Sequence, residues 1–221
     1  MQNAEITWEV DGRPIAARFD DPYFSHGDGA AETQHVFLAG NDLPARFAPG
    51  FHIAELGFGT GLNALVAGAV WNASGRLRYT GFEAYPMRPD DAARALARWE
   101  FPDQPAMLDA INHGLKSFQT PNLDVELIIG DARQTLAHTN LRADAWFLDG
   151  FSPAKNPELW GEDLMREVAR HTAPGGTFAT YAAAGHVRRA LATAGFVVER
   201  CAGFGTKNHM SRGKLGPMNA E

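Results

Sequence analysis

The sequence predicts an α/β protein built on a doubly wound, mainly parallel sheet, and three observations predict it. Short apolar runs alternate along the chain with longer segments of helical periodicity, the pattern of strands joined by crossover helices. The run His52 to Leu56 leads into Gly57-Phe-Gly59-Thr-Gly61, and an apolar segment without a breaker follows at once, which reads as strand, tight turn and helix. Acidic residues mark the ends of the runs: Glu55 stands just before the glycine turn, and Glu83, Asp131 and Asp149 close later ones. In an open parallel sheet, ligands lie beyond the carboxyl ends of the strands, so these ends converge on one site.

Each element has its own signal. Ile6 to Val10 alternates in polarity, Asp11-Gly12 is a two-residue hairpin signal, and Arg13 to Phe19 resumes with Ile15, Ala17 and Phe19 in phase. Asp20 to His35 is polar and turn-rich, and Asn41 to Gly50 carries two prolines, so both predict loops around the apolar Val36-Phe-Leu. Leu62 to Trp71 predicts a helix and Leu77 to Glu83 a strand. Asp90 is placed to cap a helix over Asp91 to Trp99, and Pro105 opens a second one reaching Phe118. Val125 to Gly130 is a strand followed by a short helix from Ala132 to His138. The strand from Ala143 ends in Asp149, and Glu158 to His171 is a helix. Pro174-Gly175-Gly176 turns the chain into a strand at Thr177 to Tyr181, and helix Gly185 to Ala194 precedes a last strand at Phe196 to Arg200. The expected organisation is a single domain over 1–221, with a hairpin-and-loop extension at 1–50 and a Rossmann-like core at 51–221.

The totals limit the function. At 221 residues, 45% hydrophobic and 21% charged, the chain suits one α/β core of an ordinary soluble protein. The first residues have neither a basic start nor an apolar run, and the longest breaker-poor apolar stretch, Ala64 to Trp71, is far short of a membrane span. A cytoplasmic protein with no membrane partner is therefore expected. The single cysteine, Cys201, excludes an internal disulfide and reads as a strand thiol. Eight histidines occur without metal-ligand spacing, so no metal is expected. The net charge of −6 argues against a general nucleic-acid binder. Between His171 and Glu221, however, six basic residues face two acidic ones, a local +4 that leaves −10 elsewhere and can serve a phosphate backbone or simply be solvated.

The glycine spacing selects the cofactor. A dinucleotide fingerprint, G-x-G-x-x-G, would need glycine where Leu62 stands; here the third glycine comes one residue early. Glu55-x-Gly57-x-Gly59-x-Gly61 resembles the turn of class I S-adenosylmethionine (SAM) methyltransferases. A carboxylate beside that turn suits an amino group and a positive sulfur and would repel a pyrophosphate. By that resemblance Glu55, Gly57, Gly59, Thr60 and Gly61 hold the methionine part of SAM. Glu83 lies 22 residues past Gly61, where an acidic side chain accepts from both ribose hydroxyls, a feature shared by NAD and SAM sites. Asp131 with Ala132 meets the adenine in many SAM enzymes, although Asp131 is equally placed to cap the helix that follows.

Asp149-Gly-Phe151-Ser152-Pro153 stands where amino-methylating SAM enzymes carry a polar residue, a proline and an aromatic. An amine acceptor must be neutral, with its lone pair in line with the methyl–sulfur bond. A carboxylate accepting an N–H bond can hold that pose while an aromatic supports the acceptor. Leu148 to Trp160 closely resembles the long motif in the methyltransferase domain of MnmC-type tRNA enzymes. The resemblance extends to Phe19 to Ser25, Glu32-Thr33, Glu55 to Asn63, Gly176 to Thr180 and Gly185 to Arg189, and covers most of the chain. It implies a class I SAM-dependent methyltransferase fold and methylation of the amine of 5-aminomethyl-(2-thio)uridine at the tRNA wobble position. It also implies Asp149 as the residue orienting the amine, with Phe151, Ser152, Pro153, Lys155 and Asn156 lining the acceptor entrance. Arg188, Arg189 and Lys207 are the expected RNA contacts. Bifunctional members continue into an FAD-dependent oxidase; this chain ends at Glu221, so neither FAD nor that activity is expected, and a separate oxidase or an upstream tRNA-modifying complex would supply the substrate. The tail retains Gly203, Phe204, Gly205, Lys207 and Met210, whereas Thr206, Asn208 and His209 stand where the family has charged residues. Two other readings remain: an aminopropyltransferase-like or other small-amine enzyme, which an acidic pocket would favour, and a non-catalytic RNA- or nucleoside-binding module.

Overall fold

In the computed structural model, which describes residues 2–25 and 27–217, the chain opens with a small antiparallel sheet of β1 (Ile6–Trp8), β2 (Pro14–Ala16) and β3 (Asp21–Pro22). Helix α1 (Gly29–Glu32) then runs without a break into a wider turn over Thr33–Leu38 and a tighter one over Ala39–Asn41. The alternating core follows: β4 (His52–Leu56), α2 (Leu62–Ala69), β5 (Leu77–Glu83), α3 (Pro89–Leu96), α4 (Gln104–Asn112), β6 (Ser117–Gln119), β7 (Leu123–Ile129), α5 (Ala132–Thr135), β8 (Ala143–Leu148), α6 (Glu162–Arg170), β9 (Thr172–Thr180), α7 (Gly185–Thr193), β10 (Phe196–Ala202) and β11 (His209–Leu215).

The strands form one eight-stranded sheet in the order β10-β11-β9-β8-β4-β5-β7-β6. The five central strands are parallel, while β11 and β6 run antiparallel to their neighbours. Chain order reverses between β4 and β8, the switch point where a doubly wound sheet opens a crevice. Period-two alternation divides the core between the two faces. Ile53 and Phe147 join the cluster with Leu65 and Tyr79, whereas Ala54, Leu56, Trp146 and Leu148 join the one with Leu164 and Val168. All five residues of β4 are buried, as expected of a strand covered on both faces. Helix α6 covers one face with Leu164, Met165 and Val168; Glu162 and Asp163 in its first turn and Arg170 in its last match the helix dipole.

The structure revises several boundaries. The second part of the polar stretch read as a loop, from Gly29 onward, is helical. Asp28 caps α1 by accepting from the amides of Ala30 and Ala31, and the polar residues beyond it find distant partners: Glu32 with Lys207, Thr33 with Asn63, His35 with the Ala202 carbonyl. Helix α3 starts at Pro89 with Arg88 as its cap residue, so Asp90 lies in the first turn instead of capping. The second helix stops at Asn112, and Ser117–Gln119 is an edge strand. Strand β9 runs straight through Pro174-Gly175-Gly176, where the register with β8 shifts by a bulge between Ala143 and Ala145. Strand β11 was not anticipated from the sequence. Among the described residues, no helix is long and apolar enough to cross a membrane, and no group of three His, Cys, Asp or Glu is placed to hold a metal ion.

Candidate active site

A cavity of about 820 Å³ opens beyond the carboxyl ends of β4, β5, β7 and β8, within the size range of small-ligand sites. The glycine turn forms its floor. Gly57 has φ +87°, and a Cβ there would lie 2.4 Å from the Asp149 carbonyl oxygen, so the ends of β4 and β8 meet backbone against backbone. The amides of Gly57 and Phe58 both donate to the Phe82 carbonyl, which pins the turn to β5. Gly59, at φ +55°, would bring a Cβ to 3.0 Å from the Tyr23 ring. Gly57, Gly59 and Thr60 line the cavity; Gly61 does not, and serves instead as the left-handed cap residue of α2.

The strand-end acids divide into two groups. Glu83 lines the cavity and accepts from the Gly59 and Tyr85 amides, each at 2.8 Å, while burial pushes its carboxyl up. Each oxygen keeps a lone pair for a further donor such as a ribose hydroxyl. Asp131 caps α5 through the Arg133 amide at 2.9 Å and is clasped by the Arg133 guanidinium, which holds its carboxyl below the usual range. Capping is thus its structural role, and with Ala132 it also lines the cavity.

Glu55 differs from expectation. Its side chain is completely buried, does not line the cavity, and is bound by Asn63 at 2.6 Å and the Tyr79 hydroxyl at 2.7 Å. A direct contact between Glu55 and the methionine part is therefore not available. Burial and the neighbouring Asp149 hold its carboxyl well above the ordinary range. Asn63 reaches onward to Asp149, 2.6 Å away, linking the two acids through one amide.

Asp149 ends β8, lines the cavity and titrates at about 7, raised by burial and by the nearby Glu32, while the Asn63 hydrogen bond and Lys207 act in the opposite direction. Lys207 pairs with Glu32 at 2.8 Å and lies 3.8 Å from the centre of the Tyr181 ring, whose hydroxyl donates to the Gly150 carbonyl at 2.7 Å. A carboxyl titrating near neutrality in a walled cavity can take a proton from a nitrogen as well as accept its hydrogen bond.

An aromatic wall faces the acids. Phe151 stacks on Phe19 at 4.7 Å and meets Tyr23 edge-on at 5.2 Å, so the N-terminal extension builds part of the cavity. The Ser152 amide donates to Asp21 at 2.8 Å, and Lys155 pairs with Asp20 at 3.1 Å and Asp21 at 3.6 Å, which ties the acceptor segment to that extension. Ser152, Lys155 and Asn156 line the cavity, whereas Pro153 does not. Arg188 and Arg189 also lie outside it, on α7. Sequence reasoning gave no role to Asn63, Tyr79, Tyr181 or Arg18. Only Asn63 had a usable signal, its position directly after the glycine turn. Arg18, exposed at the rim, lies 4.7 Å from the centre of the Tyr85 ring.

The cavity fits SAM on its own geometry. Gly57 and Gly59 line it with bare backbone, Glu83 keeps acceptor capacity beside them, and the volume suits a nucleoside with an amino-acid tail. Comparisons agree. A family profile described as S-adenosyl-L-methionine-dependent methyltransferase matches residues 102–216, a span that contains Asp131, Asp149 and the acceptor segment. The chain is 43% identical over 229 residues to the tRNA 5-methylaminomethyl-2-thiouridine biosynthesis bifunctional protein MnmC of Chromobacterium violaceum, covering 96% of this chain and 34% of that one. It is 42% identical over 239 residues to the protein of the same name from Stutzerimonas stutzeri, covering 100% and 36%. The chain thus spans about a third of the length of the curated relatives it matches. The crystal structure of MNMC2 from Aquifex aeolicus is similar at a TM-score of 0.73 and 25% identity, covering 98% of this chain and 71% of that one. TrmN from Thermus thermophilus, at a TM-score of 0.56, 17% identity and coverage of 92% and 54%, shares the fold. With its doubly wound sheet, its glycine turn and a matching profile over half its length, the chain belongs to the family of S-adenosyl-L-methionine-dependent methyltransferases.

Proposed function

We propose that the chain methylates the primary amine of 5-aminomethyl-(2-thio)uridine at the wobble position of tRNA, giving 5-methylaminomethyl-(2-thio)uridine. The observation that carries the reading is Asp149: a half-buried carboxyl held up at about 7, set between the glycine turn and the Phe151 wall. The printed names of the relatives support the substrate.

Bound SAM supplies an electrophilic methyl on a positive sulfur. Gly57, Gly59 and Thr60 would hold its methionine part, with Gly61 and Glu55 supporting the turn from behind; Glu83 would take the ribose, and Asp131 with Ala132 the adenine. Asp149 accepts an N–H bond from the acceptor amine and aims its lone pair. As one N–C bond forms and one C–S bond breaks, the proton leaving nitrogen passes to the Asp149 carboxylate and then to solvent. Phe151 and Tyr23 exclude water and support the uracil ring. Outside the cavity, Arg188 and Arg189 would meet the RNA, with Arg18, Lys155 and Lys207 at the mouth.

Six acidic and five basic side chains line the cavity, a near balance unlike the acidic pocket that would suit a free polyamine. A pure binding module would gain nothing from keeping a half-buried carboxyl near neutrality. The reading places the protein in the cytoplasm as one domain, with tRNA as partner and another enzyme, an oxidase or an upstream modifying complex, supplying the aminomethyl group. The test incubates the protein with SAM and tRNA whose wobble uridine stops at the aminomethyl stage, and weighs the nucleosides. A gain of one methyl on that nucleoside is expected; methylation elsewhere, or none, would overturn the reading.

A further inference from the structure

One amide stands between two carboxyl groups, Glu55 buried behind the cavity and Asp149 lining it. Asn63, in the first turn of α2, donates one N–H to Glu55 Oε1 and the other to Asp149 Oδ2, each at 2.6 Å, and the Thr33 hydroxyl donates to its Oδ1 at 2.6 Å. An amide nitrogen only donates and its oxygen only accepts, so an ionised Asp149, a Glu55 oxygen acting as acceptor and the Thr33 hydroxyl favour the same orientation. Glu55 cannot turn away, because its other oxygen takes the Tyr79 hydroxyl at 2.7 Å. The one Thr33 hydroxyl proton has two acceptors in reach, Asn63 Oδ1 at 2.6 Å and the Gly29 carbonyl of its own turn at 3.0 Å, and the shorter contact is the one to Asn63.

We propose that Asn63 is the positioning residue of the acceptor site: clamped by Glu55 and Thr33, it aims a fixed N–H at Asp149 and so sets where that carboxylate meets the incoming amine. The proposal takes the identity of the amine from the methyl-transfer reading; the clamp itself stands on the hydrogen bonds. It gives Glu55 a task consistent with its burial, acting on the reaction through Asn63. Other groups around Asp149 do not replace this bond. Glu32 of α1 and Lys207, between β10 and β11, pair with each other, and Tyr181 after β9 donates to the Gly150 carbonyl. Glu55 and Tyr79, on β4 and β5, lie behind the amide. Among the described residues, Asn63 is the side chain that hydrogen-bonds the Asp149 carboxylate.

Asn63→Leu removes both N–H groups at similar size, and Thr33→Val removes only the hydroxyl that orients the amide. Three readouts on the full chain separate the possibilities: SAM affinity by calorimetry, single-turnover methyl transfer to aminomethyl tRNA, and titration of the Asp149 carboxyl by carbon-13 NMR. Asn63→Leu should slow transfer about 10- to 100-fold, the value of a hydrogen bond to a charged group, with SAM affinity changed by less than about threefold. The Asp149 midpoint should rise above its wild-type value of about 7, since the lost bond favours the charged form. Thr33→Val should shift rate and midpoint in the same directions by less, and decides the matter should Asn63→Leu not fold. An unmoved midpoint in a folded variant would overturn the proposal, as would a loss of SAM affinity matching the loss of rate, which would make Asn63 a cofactor ligand. A wild type that transfers no methyl, while Asn63→Leu still moves the midpoint, would overturn the methyl-transfer reading and support the clamp.

Discussion

Replacing Asp149 by asparagine should make the protein more stable while slowing it. The carboxyl would ordinarily titrate at 3.8 and is held at about 7 by burial and by Glu32. A group whose folded value lies above its unfolded one favours the fold fully below the unfolded value and loses that contribution as pH rises through the folded one. Each pH unit is worth about 1.4 kcal/mol, so over the interval from 3.8 to about 7 the wild type loses about 4 kcal/mol from this side chain. Asparagine keeps a carbonyl oxygen for the Asn63 N–H and never ionises. Its stability advantage should therefore grow from near zero around pH 4 to about 4 kcal/mol around pH 8. Urea unfolding of both proteins in steps across that range measures it, and the difference cancels every common group whose titration Asp149 does not influence; the relief of Glu55 counts as part of the Asp149 effect. An advantage independent of pH, or a variant less stable than wild type around pH 8, would refute the burial argument. A destabilising carboxylate retained at a strand end is what a site shaped for chemistry contains.

Glu83→Ala should weaken SAM binding by about 1.5–3 kcal/mol in calorimetry, because the variant loses the proposed ribose acceptor and the anchors of the Gly59 and Tyr85 amides; unchanged affinity in a folded variant would remove Glu83 from the nucleoside site. Gly57→Ala should cost about 2–4 kcal/mol of unfolding free energy, since a Cβ would sit 2.4 Å from the Asp149 carbonyl oxygen at φ +87°; wild-type stability would contradict the contact between β4 and β8. Lys207→Met leaves Glu32 without its cation, so Asp149 should titrate higher and the acid limb of the transfer-rate profile should move to higher pH. An unmoved limb would separate Lys207 from Asp149.

The core of the fold was legible because β4, β5, β7 and β8 are short apolar runs whose acidic ends and following helices announce themselves locally. The glycine turn, Glu83, Asp131 and Asp149 were found for the same reason. The segment from Asp20 to Asn41 was not, because its helix depends on partners far along the chain: Glu32 needs Lys207 and Thr33 needs Asn63. Strand β11 escaped because its pairing with β9 and β10, not an apolar pattern, fixes it. Glu55 was placed correctly on its strand, but which way its side chain faced rested on Tyr79 and Asn63, residues whose convergence no spacing reveals. Arg188 and Arg189 were grouped with the mouth by charge and resemblance; their helix was read from the correct start at Gly185, but neither signal fixes which of its side chains reach the cavity.

The most direct measurement is the single-turnover rate of methyl transfer to aminomethyl tRNA, across pH, for wild type, Asp149→Ala and Asp149→Asn. If Asp149 aligns the amine and receives its proton, Asp149→Ala should be slower by ~10² or more, the cost of misplacing a reacting group. Asp149→Asn should fall between, because it still accepts the N–H bond but cannot take the proton. The wild-type rate should rise with pH through about 7 as the carboxyl ionises and the amine loses its charge, and that rise should be blunted in both variants. Equal rates for wild type and Asp149→Ala, with the same pH dependence, would contradict the account and leave Asp149 as a structural end to its strand.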